Sequence, residues 1–186
     1  MSIRVLGIVG SLRAASYNGW LLRAAVDMAP AGMEIEIFSK LGDLPLFDQD
    51  LEARGDPETV RSFKAAIQSA DALLFASPEY NFGMTGALKN AIDWASRPPG
   101  KSVLSGKPAA IMGASPGSLG TARAQLQLRQ SLLATQTYAM LQPEVLVAKA
   151  HEKFDAQGRL TDEPTRKLLQ RFLQAFAEWV ARLRVV

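Results

Sequence analysis

The chain has 186 residues, 48% of them apolar and 21% charged, with a formal net charge of +3. Those proportions belong to a globular chain long enough to bury a sizeable core in one domain, and the scattered, interleaved charges argue against nucleic acid as a partner. With no cysteine, disulfides, thiolate nucleophiles and thiolate metal sites are excluded, and the single His151 cannot build a multi-histidine metal centre.

In chain order, Ile3 to Val9 reads as a buried strand. Tyr17 to about Met28 reads as a helix, with Trp20, Leu21, Ala24, Ala25 and Met28 on one side. Met33 to Phe38 is a second strand, alternating at Ile35 and Ile37, and a proline-containing loop from Leu41 to Leu51 follows. Asp56-Pro57-Glu58 opens a helix with a cap, a proline in the first turn and an acid. Ala72 to Ala76 is a third buried strand that enters Ser77-Pro78, and Thr85 to about Ser96 is a helix with Leu88, Ala91, Ile92 and Ala95 on one face. Ala109 to Gly113 is a fourth strand, Leu119 to Leu133 a helix, and Val145 to Ala148 the last strand. Glu163 to Leu183 is a strongly amphipathic helix whose apolar stripe runs through Leu168, Leu169, Phe172, Phe176, Trp179, Val180 and Leu183. No apolar run approaches the ~20 residues that span a bilayer. The N-terminal residues read as strand rather than as a secretory leader, so a cytoplasmic location with no membrane partner is expected.

Strands alternating with helices imply an α/β fold with a parallel sheet covered on both faces. Five strands fit the flavodoxin-like order 2-1-3-4-5, in a single domain spanning residues 1–186. Ligands of such sheets bind beyond the carboxyl ends of the strands, which directs attention to the loops after strands one, three and four.

The first loop, Gly10 to Asn18, carries Ser11, Arg13 and Ser16 just before a helix. Helix N–H groups, hydroxyls and a guanidinium suit a phosphate, and a structural turn with Ser16 as a helix cap accounts for the same residues. The loop has neither the spaced glycines of a dinucleotide fingerprint nor the Gly-Lys-Ser/Thr of a Walker loop. The second loop, Ser77 to Gly86, is polar and aromatic where it leaves the centre of the sheet. Its backbone N–H groups, the Asn81 amide and the Tyr80 ring suit a planar heterocycle, with Thr85 as a helix cap. Glu79 has the chemistry of a base, but a solvated loop carboxylate is the simpler expectation. The third loop, Gly113 to Thr121, is built of small residues that let a flat ligand approach the backbone, as does any Gly/Ser turn.

Taken together, Gly10-Ser11-Leu12-Arg13 with Ser16 and Asn18, and Pro78-Glu79-Tyr80-Asn81 with Gly86 and Leu88-Lys89-Asn90-Ala91-Ile92-Asp93-Trp94, resemble the NADPH-dependent FMN reductase family, which includes flavodoxin-like chromate and quinone reductases. Gly120, Arg123, Gln125 and Leu128-Arg129-Gln130 resemble the same family's fourth helix. The resemblance implies that Ser11, Arg13, Ser16 and Asn18 hold the FMN phosphate. It implies that Pro78, Glu79, Tyr80 and Asn81 line the ribityl chain and ring, and that Ser115 and Gly117 meet the ring from the third loop. Pro116 lacks an N–H that the ring could otherwise accept from. The family is dimeric or tetrameric. By this resemblance NADPH or NADH supplies a hydride to FMN, and quinones, azo compounds, metal oxyanions such as chromate, or free flavin take the electrons, with no catalytic side chain and no metal required. A flavodoxin-type carrier that binds FMN without oxidising nicotinamide is the rival, disfavoured by the +3 charge because such carriers are usually acidic. A regulatory domain that takes another phosphorylated ligand in the same cradle is a third reading.

Other residues carry structural expectations. His151 is expected to be exposed, and Phe172, Phe176 and Trp179 to be core. Trp94 suits helix packing or an oligomer contact. Leu44-Pro45-Leu46-Phe47-Asp48 reads as loop packing and equally resembles a family segment that lies near the active site of a neighbouring subunit.

Overall fold

The computed structural model describes residues 2–184. Strand β1 (Ile3–Val9) lies between β2 (Met33–Phe38) and β3 (Ala72–Ala76), and β4 (Pro108–Ala114) pairs with β3, all parallel. The next position is shared by two short strands. β5 (Tyr138–Ala139) pairs with the start of β4 at Pro108 and Ala109, and β6 (Val145–Val147) pairs with its end at Met112 to Ala114. The expected order 2-1-3-4-5 holds, but the single last strand expected at 145–148 is the second half of a broken one. Pro143 lies in the break, and a residue without an N–H cannot continue the ladder. The first half is two residues long and partly exposed, so it carries no periodicity to read.

The helices are α1 (Tyr17–Asp27), α2 (Gln49–Ala53), α3 (Glu58–Ser69), α4 (Gly86–Ala95), α5 (Ala122–Ala134) and α6 (Glu163–Arg184). Strand side chains alternate between the two faces. Val5, Leu74, Ala110 and Met112 pack with Leu21 and Leu22 of α1 and with Phe172, Phe176 and Val180 of α6. Leu6, Ile8, Leu73, Phe75 and Ile111 pack with Phe63 of α3, Leu88 and Trp94 of α4, and Leu128 and Leu132 of α5. Each of the larger aliphatic and phenylalanine side chains among them, removed from water, contributes roughly 1.5–3 kcal/mol of burial.

Three local expectations are corrected. The loop after β2 contains a 3₁₀ turn at Leu41–Asp43 and the short α2. Pro57, not Asp56, occupies the cap position of α3, while the Asp56 carboxylate pairs with Lys64 at 2.5 Å. Helix α5 starts at Ala122 rather than Leu119, because Gly120 has φ +60° and a Cβ there would meet the Leu146 backbone at 2.9 Å. No helix among the described residues is long and apolar enough to cross a membrane.

Candidate functional site

The ends of β1, β3 and β4 converge on one edge of the sheet. After β1, the chain runs through Ser11 and the exposed Arg13 to Ser16. Ser16 has extended backbone, and its Oγ accepts the N–H groups of Asn18 (3.2 Å) and Gly19 (3.4 Å), so it caps α1. Both of those bonds are acceptances, which leaves the hydroxyl proton to donate. Ser11 Oγ accepts the Arg13 N–H at 3.4 Å and turns the loop over the helix end. A helix N-terminus, two hydroxyls and a guanidinium with no partner among the described residues form a donor set whose chemistry fits a phosphate.

Asn18 also has a structural partner. Its Nδ2 donates to the Ala114 carbonyl and its Oδ1 accepts the Ala114 N–H, both at 2.9 Å, in a site that leaves the residue 2% exposed. The amide joins the first loop to the third, and the second N–H of Nδ2 is left over from that pairing.

The second loop is anchored at both ends. Thr85 Oγ1 accepts the Leu88 N–H (3.2 Å) to cap α4 and donates to the Gly10 carbonyl at 2.5 Å. Tyr80 and Gly83 exchange both backbone hydrogen bonds at 3.0 Å, so Asn81 and Phe82 are the two central residues of a tight hairpin turn. Their φ values are +50° and +66°, the left-handed pair that a type I′ turn requires. Asparagine accepts that conformation readily, whereas phenylalanine does so at a cost of about 1 kcal/mol. Phe82 is 71% exposed, with the Arg123 guanidinium 3.9 Å above its ring.

Glu79 is not a solvated carboxylate. Its side chain is 12% exposed, and Oε2 accepts the N–H groups of Arg123 (2.9 Å) and Ala124 (3.1 Å) in the first turn of α5. Those bonds leave it badly placed to serve as a base.

In the third loop, a Cβ on Gly113 would lie 2.0 Å from Thr121 Oγ1 and 2.5 Å from the Ser77 carbonyl, so only glycine fits. Ser115 N–H donates to the Val147 carbonyl (2.9 Å), and the Gly117 N–H turns inward to Ser115 Oγ at 3.1 Å. The three loops border a depression of about 80 Å³. Ser11, Arg13, Ser16, Asn18, Pro78, Glu79, Tyr80 and Ser115 of the expected set line it. Asn81 and Gly117, both exposed, do not.

Sequence reasoning missed Tyr17 and Ala114 on the same wall, where Pro116, singled out for its missing N–H, also lies. Tyr17 directly follows the helix cap, which is the signal that could have found it. Its ring meets Trp20 edge-on at 5.4 Å and lies 6.0 Å from Phe154. A roomier cavity of about 510 Å³ lies between α4 and α5, but its cations are spoken for. Lys89 pairs with Asp93, and Arg97 pairs with Glu52.

The remaining candidates have structural partners. Trp94 is buried and donates to the Pro45 carbonyl at 2.8 Å, Asn90 donates to the same carbonyl at 2.9 Å, and Phe47 packs edge-on against Trp94. The 44–48 segment is thus held against α4, with Leu46 left 82% exposed. Phe172 and Phe176 are core, and His151 is exposed beside Glu152. Asp162, in the turn before α6, accepts from Thr165 Oγ1 (2.6 Å), Lys153 Nζ (2.9 Å) and the Thr165 N–H (3.0 Å). The Thr165 hydroxyl and then Lys153 hold its carboxyl at a pKa of about 2.

The family model described as NADPH-dependent FMN reductase matches residues 3–152. An NAD(P)H-dependent FMN reductase of Pseudomonas aeruginosa is 53% identical over 182 residues, covering 98% of this chain and 97% of that protein. A 2-hydroxy-1,4-benzoquinone reductase of a Burkholderia species is 44% identical over 185 residues, covering all of both. Among solved structures, the flavoenzyme NAD(P)H:(acceptor) oxidoreductase of Paracoccus denitrificans superposes with a TM-score of 0.89 at 42% identity, covering 97% of this chain and 98% of that one.

Proposed function

The chain belongs to the NADPH-dependent FMN reductase family, and on that premise we propose that it is an FMN-dependent NAD(P)H oxidoreductase that passes electrons to quinones. Azo compounds, metal oxyanions such as chromate, and free flavin are further acceptors under this reading. The observation that carries it is the convergence of a phosphate-type donor set with the Pro78–Tyr80 and Ser115–Pro116 segments on one depression. We read residues 1–186 as one FMN-binding domain.

Ser11, Arg13 and Ser16, with the N-terminus of α1, hold the phosphate. Asn18 keeps the third loop in register with the first. Pro78, Tyr80 and Ser115 line the way to the ring, and the exposed Asn81 and Gly117 meet it at the mouth. FMN, when bound, supplies the redox chemistry by accepting a hydride from NADPH or NADH and giving electrons to the acceptor. The Asn81 and Ser118 backbone N–H groups, which have no partner among the described residues, would stabilise negative charge on the bound ring. No side-chain acid or base is needed, which agrees with the Glu79 carboxylate being taken up by α5.

We also propose a homodimer or homotetramer in the cytoplasm. Leu126 and Leu133, seven residues apart on α5, are 64% and 79% exposed, and Leu141 beside them is 72% exposed. Arg129 holds the 140–141 segment against that helix through the Met140 carbonyl at 2.8 Å. Such a patch suits a second copy of the chain. Sedimentation of wild type against Leu126→Glu/Leu133→Glu tests this, with dissociation to monomer expected.

The oxidoreductase reading is tested by mixing the FMN-loaded protein anaerobically with NADPH. Bleaching of the flavin band within seconds is expected. A stable yellow colour would overturn the reading in favour of an electron carrier, and a colourless protein that takes up no FMN would overturn both.

A further inference from the structure

Helix α5 does not cap itself. Its cap residue, Thr121, makes no side-chain bond to the helix end. The Thr121 hydroxyl faces Gln125 Nε2 at 3.0 Å instead. The N–H groups of Arg123 and Ala124 are taken by Glu79, 44 and 45 residues earlier in the chain. Two further contacts lie beside that bond. The Arg123 guanidinium approaches Glu79 Oε1 at 3.7 Å and covers the Phe82 ring, and Gln127 Oε1 accepts the Met84 N–H at 2.7 Å. Residues 79, 82 and 84 of one loop are therefore strapped to residues 123, 124 and 127 of one helix.

A local cap of the Ser, Thr or Asp type would stabilise the helix equally well. What the distant cap adds is a fixed position for the loop. The Asn81-Phe82 turn holds a bulky residue in left-handed backbone, and such strain persists only where the surroundings over-determine it. The strap supplies that over-determination, because an ionic acceptor on a helix N-terminus gains from both hydrogen bonding and the helix dipole.

Resting on the FMN reading above, we propose that Glu79 is a positioning residue. By capping α5 across the site it fixes the Tyr80–Phe82 turn, and it couples the loop after β3 to the loop after β4, so that the two sides of the ring seat hold one spacing. Glu79 touches no cofactor in this role, and its effect passes through the turn.

The test is FMN titration of apoprotein with flavin fluorescence, together with visible circular dichroism of the FMN-saturated protein. Glu79→Ala is expected to weaken FMN binding roughly tenfold, the size of a lost charged cap, and to change the dichroic bands of bound flavin. Glu79→Gln keeps an acceptor oxygen on the helix end and is expected to restore most of the affinity and the wild-type bands. Asp162→Ala uncaps α6 on the opposite face of the sheet, and is expected to lower the melting temperature without moving either flavin signal. If Glu79→Ala binds FMN with wild-type affinity and spectrum, the positioning role is overturned. It is overturned equally if Asp162→Ala shifts the flavin signals as Glu79→Ala does, since the effect is then general loosening. A wild-type apoprotein that fails to bind FMN brings down the cofactor reading itself, a result distinct from the other two. Should Glu79→Ala not fold, Arg123→Ala removes the guanidinium part of the strap, its contacts with Glu79 and the Phe82 ring, while the backbone N–H groups stay capped; the same spectral change is expected at smaller amplitude, and wild-type bands overturn the role.

Discussion

The first and second loops border the same depression but are held there by different physics. The first, Gly10 to Asn18, is organised chiefly by its own neighbours: Ser16 caps the helix two residues on, and Ser11 takes the N–H of Arg13. Two buried side chains fasten it to the rest of the molecule: its own Asn18, on Ala114, and Thr85, on the Gly10 carbonyl. The second, Ser77 to Gly86, contains a strained turn and depends on residues some forty positions away, in α5. A phosphate grips a preformed helix end, so local order suffices. A ring needs two walls at a set spacing, and only contacts between distant segments can fix that.

The largest expected effect comes from cutting the first loop's tie to the end of β4. Asn18→Ala leaves the Ala114 N–H and carbonyl buried without their partners and should cost about 3 kcal/mol of stability. Thermal melting of the apoprotein measures it, and a loss under about 1 kcal/mol would mean that the loop is held locally throughout. Arg13→Ala should leave stability alone and weaken FMN binding by about 2 kcal/mol, roughly thirtyfold. Turnover at saturating FMN should be unchanged, and a collapse of turnover with FMN fully bound would remove Arg13 from the phosphate site.

Asp162→Asn, at a helix cap made locally, should cost about 1 kcal/mol at neutral pH. Its acid dependence has a definite sign. A carboxyl held at about 2 in the folded protein, against 3.8 unperturbed, adds stability that is fully present above about pH 4 and is lost as the pH falls toward 2. Chemical denaturation at stepped pH should show wild type and Asp162→Asn converging over that range. The smallest effect is expected at Phe82→Gly. Relief of about 1 kcal/mol of left-handed strain is offset by loss of the contact with Arg123 and by the greater freedom of glycine in the unfolded chain. Stability should stay within about 0.5 kcal/mol of wild type by urea denaturation. A fall above 2 kcal/mol would show that the turn is held through the Phe82 ring rather than through Glu79.

Much of the fold was legible in the chain. Runs such as Ile3–Val9 and Ala72–Ala76 are apolar enough to be buried on both faces, and the stripe through Phe172 and Phe176 has helical spacing, so element type followed from period alone. Tyr138–Ala139 escaped, because two partly exposed residues carry no period. In the site, Ser11, Arg13 and Ser16 could be read because a cap and an anion cradle have a local signature. The structural partners of Glu79 and Asn18 could not be read, because a partner 44 or 96 residues away leaves no mark in spacing.

By itself the sequence determined the strand–helix alternation, the chemistry of the three loops and the family they resemble, since hydrophobic period and residue type are properties of neighbouring positions. Only the tertiary structure decided that the fifth strand is split, that Asn18 braces β4, and that Glu79 caps a distant helix. Each of those depends on which buried donor finds which acceptor once the sheet has closed, and a buried polar group takes the partner that packing brings within reach.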